Sequence, residues 1–215
     1  MSDRRLSVIG AGKFGTIVAK AAVEAGYDVA IASSRPPADI ELIIDVLVPG
    51  AEPMTVADAV EYSDLVVLAV PSYRFRELGP DTFAGKVLID TINYWAETDG
   101  IVPEFVDSPA HTSEAVQRHF PSATVVKSLN QLGYHQFRDE RLPPGTPGRI
   151  AMAAAGDDRA AVGKVLELID DLGFDPVDAG TLADGARLGP GGPAFGVVAQ
   201  KPELLRLLAL EESVT

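Results

Sequence analysis

The run from Leu6 to Arg35 constrains this chain more than any other stretch. It opens on the apolar, β-prone Leu6-Ser7-Val8-Ile9 and turns through Gly10-Ala11-Gly12-Lys13-Phe14-Gly15. An Ala-rich helical run follows and is closed by Gly26, and a second apolar run, Tyr27 to Ala32, ends on Ser33-Ser34-Arg35. Strand, Gly-x-Gly-x-x-Gly turn, helix and strand make a βαβ unit that receives a dinucleotide pyrophosphate. Gly10 permits the tight turn, Gly12 has no Cβ to block the phosphates, and Gly15 lets the helix lie close to the strand. The N–H groups at the start of the helix are donors for the phosphate oxygens.

The end of the second strand indicates which dinucleotide. A unit that prefers NAD usually has Asp or Glu there, about 20 residues past the glycines, to accept from the ribose 2′-OH. No acid occurs between Ala30 and Pro37. Ser33, Ser34 and Arg35 instead offer two hydroxyls and a guanidinium, which suit a 2′-phosphate that a carboxylate would repel. NADP is therefore expected over NAD.

Composition narrows the class. The 215 residues are 47% hydrophobic and 23% charged, as in a soluble globular chain with a substantial core. The net charge of −13 argues against nucleic acid or an anionic membrane as partner. With no cysteine, disulfides, thiol chemistry and cysteine-ligated metals are excluded, which fits a reducing cytosol. Met1 to Arg5 leads straight into the first strand without the apolar core of a signal peptide. No apolar run approaches the roughly 20 residues of a membrane span, so a cytoplasmic location is expected.

Further along, Ala38 to Leu47 has apolar positions at helical spacing, Met54 to Val56 reads as a short edge strand and Ala57 to Tyr62 as a short helix. Leu65 to Pro71 is apolar throughout, as in a strand of a parallel sheet covered on both faces. Gly85 to Asp90 reads as the next strand, Ala96 to Pro109 as a loop, Thr112 to Phe120 as a helix and Ala123 to Leu129 as a strand. Arg138 to Gly148 reads as a loop or lid, and Arg149 to Ala155 as a strand. Asp157-Asp158 caps a helix that runs to Leu172 and is closed by Gly173; Phe174 to Gly180 is a last short strand. A Gly/Pro cluster, Gly189 to Pro193, precedes a terminal helix from Pro202 to Glu211. The pattern predicts an α/β fold: a doubly wound, mostly parallel Rossmann sheet with a short C-terminal helical appendage. Residues 1–180 form the nucleotide-binding domain, and residues 181–215 belong to the same domain.

In such a sheet ligands bind beyond the carboxyl ends of the strands. The candidates are therefore Ala11 to Gly15, Ser33 to Arg35, Val70-Pro71-Ser72, Asn93-Tyr94-Trp95, and Asn130 to Tyr134. Pro71 and Asn93 would equally suit any strand exit. No acid–base set stands out: His111, His119 and His135 are scattered, and Asp90 reads as a turn or cap acceptor rather than a base. No metal-ligand cluster and no catalytic residue is assigned. Hydride exchange between two rings can run mainly on apposition and orientation.

The chain resembles the NADPH-dependent F420 reductases and, more distantly, the oxidoreductase domain of the STEAP metalloreductases. The matching blocks are Val8 to Gly15, Ala32 to Arg35, Leu68 to Pro71, Val125 to Asn130, Ala155 to Asp158 and Leu172 to Gly180. The resemblance implies reversible hydride transfer between NADPH and the deazaflavin coenzyme F420. It implies that Ala11, Gly12, Lys13 and Phe14 hold the pyrophosphate, that Ser34 and Arg35 bind the 2′-phosphate, and that Val70 and Pro71 line the nicotinamide. Asn130 and Leu132 would face the second ring. Archaeal members have His where this chain has Asn130, and a long apolar terminal helix that helps form a dimer and the deazaflavin pocket. Here a Gly/Pro cluster and a short helix stand there, and Tyr94, Trp95 and Tyr134 are either aromatic walls or core.

The reading is an oxidoreductase with Asn93 near the nicotinamide and Asn130 to Tyr134 beneath the partner ring, acting on a small-molecule redox co-substrate. The alternatives are NADPH-dependent reduction of a flavin, ferric chelate or small carbonyl or imine compound, or a non-catalytic NADP(H)-binding sensor. The apolar run Leu204 to Leu210 suggests a homodimer contact or packing on its own domain.

Overall fold

The computed structural model describes residues 4–106 and 111–210. The end of the expected 96–109 loop and Glu211 of the expected terminal helix lie outside the described residues.

The elements in chain order are β1 (Arg5–Ile9), α1 (Lys13–Glu24), β2 (Asp28–Ala32), α2 (Pro37–Leu47), β3 (Ala51–Met54), α3 (Val56–Tyr62) and β4 (Leu65–Leu68). They continue with β5 (Val87–Asp90), α4 (Ala96–Asp99), α5 (Pro103–Val106), α6 (Thr112–His119), β6 (Thr124–Ser128), α7 (Tyr134–Asp139), β7 (Ala151–Ala155), α8 (Arg159–Asp171), β8 (Asp175–Asp178) and α9 (Lys201–Leu207). Short 3₁₀ turns lie at Phe75–Glu77 and Ala183–Leu188.

One sheet runs β3-β2-β1-β4-β5-β6-β7-β8. The first six strands are parallel in the order of a doubly wound dinucleotide fold, with the switch point between β1 and β4. β7 pairs antiparallel with β6, and β8 is parallel to β7, so the sheet is mostly parallel. Alternate residues feed opposite layers. Leu6, Val8, Val29 and Ile31 pack under α1, α2 and α8, while Ile9, Ala30 and Ala32 face the layer of α3 and α6.

Three local expectations shift for identifiable reasons. The edge strand lies at Ala51–Met54 rather than 54–56, because the Thr55 side chain accepts from Asp58 N at 3.1 Å and draws Val56 into α3. Pro53 is tolerated because β3 is an edge strand. The expected loop at 96–109 contains the exposed turn α4 and α5, the latter packed through the buried Phe105 onto Phe75 and Tyr94. The reach beyond Tyr134 is helical, as Gln136 accepts from Gly133 N and Phe137 is buried against Phe14 and Phe174.

The tail covers one face of β7 and β8. Ala151, Ala153 and Ala155 present small side chains on which Leu188, Ala194, Ala199, Leu204 and Leu208 pack. The apolar face of α9 is thus used within its own domain. Among the described residues no helix is long and apolar enough to cross a membrane.

Candidate functional site

The glycine turn separates structural from ligand-facing glycines. Gly10 has φ +125°, and a Cβ on it would lie 2.2 Å from the Ala69 carbonyl oxygen. A Cβ on Gly15 would lie 1.8 Å from the Gly10 carbonyl oxygen. Both positions are closed by the protein itself. A Cβ on Gly12 would meet nothing within 4 Å, so the space above Gly12 is open to a ligand. Gly12 is also the N-cap of the 12-residue α1 and places no side-chain acceptor on its first N–H groups. These features fit a pyrophosphate.

Beyond the turn, β2 delivers residues 33–35 to a cleft of about 350 Å³ that also contains Gly10, Gly12, Val70 and Pro71. Ser33 is occupied locally: its Oγ accepts from Arg35 N at 3.0 Å and donates to Arg35 O. Ser34 and Arg35 are exposed beside it and fit a 2′-phosphate. Sequence reasoning missed a second guanidinium here. Arg74 lines the same cleft and is held by Glu77, with Nε at 2.9 Å from each carboxylate oxygen. Its only sequence signal was its place after the strand exit at Val70-Pro71.

A second cleft, about 420 Å³, continues from the first at Gly12 and at residues 69–71. Phe14, Pro71, Trp95, Leu132 and Tyr134 form its apolar walls, and Lys13, Ser72, Asn93 and Asn130 are among its polar residues. Lys13 Nζ lies 5.6 Å from the centre of the Tyr134 ring, within the range of a cation–π contact. Of the aromatic candidates, Trp95 and Tyr134 are half-exposed walls, whereas Tyr94 is core and donates its hydroxyl to Gly100 O. His135 stacks on Tyr134 but is not among the residues lining the cleft, and His119 bonds to the Leu78 carbonyl away from it.

Asn93 and Asn130 are brought together across the exits of β5 and β6. Asn93 Nδ2 donates to Asn130 O at 3.0 Å, and Asn130 Nδ2 donates to Asn93 Oδ1 at 3.0 Å and to Leu188 O at 2.8 Å. The chain reaches Asn130 through Leu129, which is buried and has φ +61°. Left-handed backbone at a bulky residue costs about 1–3 kcal/mol and persists where surrounding packing over-determines it.

Beneath this floor lies a polar cluster that sequence reasoning resolved only in part. Asp90, read as a turn acceptor, does accept from Ile92 N at 2.9 Å through Oδ1. Its Oδ2 accepts from Ser113 Oγ at 2.6 Å and pairs with Lys127 Nζ at 3.3 Å. Lys127 is 1% exposed and also donates to the Ile92 carbonyl and to Thr112 Oγ1. Burial pushes its ammonium below the ordinary lysine value, and Asp90 opposes that shift. Lys127 stands in the middle of an apolar strand, the one signal that could have marked it. Among the described residues no group of three or more His, Asp or Glu is placed to hold a metal.

Comparison with known proteins agrees with this geometry. Residues 5–94 match the family model described as NADP oxidoreductase, coenzyme F420-dependent. The chain is 41% identical over 70 residues to the Escherichia coli (strain K12) protein YjhV, covering 33% of this chain and 51% of that one. It is 25% identical over 181 residues to Metalloreductase STEAP3 of Rattus norvegicus, covering 83% of this chain and 34% of that one. The chain therefore spans about half and about a third of the lengths of these relatives. A solved Arthrobacter sp. FB24 structure, described as an F420-dependent NADP-reductase, superposes with a TM-score of 0.69 at 28% identity, covering 85% of this chain and 89% of that one. The resemblance read from the glycine turn, the end of β2 and the exit of β4 is thus borne out as a resemblance to the coenzyme F420-dependent NADP oxidoreductases by the family-model match over residues 5–94, and the Arthrobacter structure extends the likeness over most of the chain.

Proposed function

We propose that this protein is an NADP-dependent oxidoreductase that passes a hydride between NADPH and the deazaflavin ring of F420. The observation that carries the reading is the continuity of the two clefts, one with the open Gly12 and Arg35, the other walled by Phe14, Trp95 and Tyr134. The bound nicotinamide supplies the hydride. The turn at residues 10–15 would hold the pyrophosphate, Ser34 and Arg35 the 2′-phosphate, and Val70 and Pro71 one side of the nicotinamide. Trp95, Leu132 and Tyr134 would exclude water above the acceptor ring, which strengthens every polar contact inside. The proton that accompanies the hydride would come from solvent or from the titratable residues that line the cleft, Lys13, Asp99 and Tyr134. The enzyme then contributes mainly orientation and proximity.

The charge of the ring cleft favours a second reading. Among the described residues its lining cation is Lys13, set against the carboxylate of Asp99, so a compact uncharged acceptor also suits it. One assay separates the two. NADPH oxidation is followed with F420, with flavin mononucleotide and with small imines and carbonyls in parallel. Bleaching of the deazaflavin band coupled to NADPH loss supports the first reading. Turnover with a small acceptor and none with F420 replaces it by the second.

A further inference from the structure

The helix α2 has two apolar faces, and the fold uses one of them. Ile40 and Ile44 are buried against the sheet, whereas Leu42, Ile43, Val46 and Leu47 are 79%, 49%, 71% and 47% exposed. The other long helices on this side of the sheet differ. The exposed residues of α1 are Lys13, Lys20 and Glu24, and those of α8 are Arg159, Ala160, Lys164 and Glu167. Apolar side chains scattered singly over a surface need no explanation, but four adjoining ones on a single helix mark a contact face.

The arrangement on the helix indicates what that face takes. At about 100° per residue, Leu42 with Val46 and Ile43 with Leu47 form two neighbouring i,i+4 rows. Glu41 and Asp45 lie about 130° or more round the helix from the middle of those rows, so a cationic partner would find only Asp39 beside them. α2 has no Lys or Arg, which a helix lying on an anionic membrane needs. A second copy of the same face suits it. Two copies crossing antiparallel about a two-fold axis between residues 44 and 45 set Leu42 of each against Leu47 of the other, and Ile43 against Val46. The two Asp39 carboxylates then lie at opposite ends, roughly 16 Å apart, beyond the screening length of about 8 Å. The adjacent edge strand β3 is a poor template for pairing, since Pro53 lacks an N–H and Glu52 is exposed.

We propose that the outer face of α2 is the contact of a weak homodimer, in which two copies meet antiparallel through Leu42, Ile43, Val46 and Leu47. Those eight side chains bury on the order of 500 Å² of apolar surface, and with their neighbours less than about 1,200 Å², the range of dimers that dissociate on dilution. The face lies outside both clefts, so the inference stands apart from the dinucleotide reading.

Sedimentation equilibrium of the full chain tests it. The mass of the wild-type protein should rise from 22.6 kDa toward twice that value between about 5 and 500 µM. Leu42→Asp and Val46→Asp should hold it at the mass of one chain throughout, with Tm nearly unchanged because both side chains are exposed. Glu41→Lys, on the other side of the helix, should leave the association as it is. The chain has no cysteine, so Val46→Cys and Glu41→Cys each give one thiol per chain. A short bis-maleimide should join two copies several-fold faster in Val46→Cys than in Glu41→Cys. If the Asp variants do not fold, the wild-type mass and the two thiol variants decide. A wild-type protein that keeps the mass of one chain at the highest concentration overturns the proposal. So does a dimer that persists in folded Val46→Asp, or one that is joined equally fast in both thiol variants. NADP+ affinity, titrated alongside, should be equal in Val46→Asp and wild type, so loss of the dimer and loss of dinucleotide binding are read separately.

Discussion

The two clefts that meet at Gly12 are built in opposite ways. The phosphate end is local: β1, the turn, α1 and β2 lie within residues 5–32, and the 33–35 loop that follows brings the charge. The ring end is assembled from the exits of β4, β5 and β6, the start of α7 and the tail carbonyl of Leu188. The first depends on absent side chains; the second depends on buried polar groups that hold one another. A local motif tolerates change wherever it faces the ligand, whereas an assembled floor fails as a unit.

Removing the charge that supports the ring end should have the largest effect. Lys127→Met leaves Asp90 buried without its cation, which should cost about 3–5 kcal/mol of stability in a urea titration. Replacing both, Lys127→Met with Asp90→Leu, should recover much of that loss; no recovery would mean the pair is not the support inferred here.

The glycines sharpen the contrast at the other end. Gly15→Ala places a Cβ against the Gly10 carbonyl and should destabilise by about 3 kcal/mol, seen as a lowered Tm. Gly12→Ala has open space and should change Tm little while weakening NADP+ about tenfold or more, because the methyl occupies ligand space. Similar Tm losses for the two variants would erase the distinction between packing and ligand-facing glycines.

Arg35→Ala should weaken NADPH about tenfold, the scale of one charge-assisted contact, and leave NADH nearly unchanged. An equal loss for both would remove the 2′-phosphate assignment. Arg74→Ala should do least, about twofold, because Glu77 already holds that guanidinium at the surface. A larger effect than that of Arg35→Ala would exchange their roles.

How much was legible follows the same division. The glycine turn, the missing acid after β2, the buried β4 and the Asp158 cap of α8 could all be read, since each is a local pattern with a local cause. The short helices α5 and α7 could not, because they are held by Phe105 and Phe137 meeting distant aromatic rings rather than by propensity, and α4 is a single exposed turn closed by Trp95 N donating to Asp99. Asn130 was found by its place at a strand exit, but its hydrogen bonds to Asn93 and Leu188 were not.

The sequence by itself determined the βαβ unit, the alternation of the longer strands and helices, and the basic, acid-free loop after β2, because steric and electrostatic demands there act between near neighbours. Only the tertiary structure decided that β7 and β8 reverse against β6, that the tail covers their alanine face, that Arg74 joins Arg35, and that Lys127 and Asp90 lie beneath the ring cleft. Those outcomes depend on which groups far apart in the chain are buried together, and a buried charge or amide acquires its role only from the partner that folding brings to it.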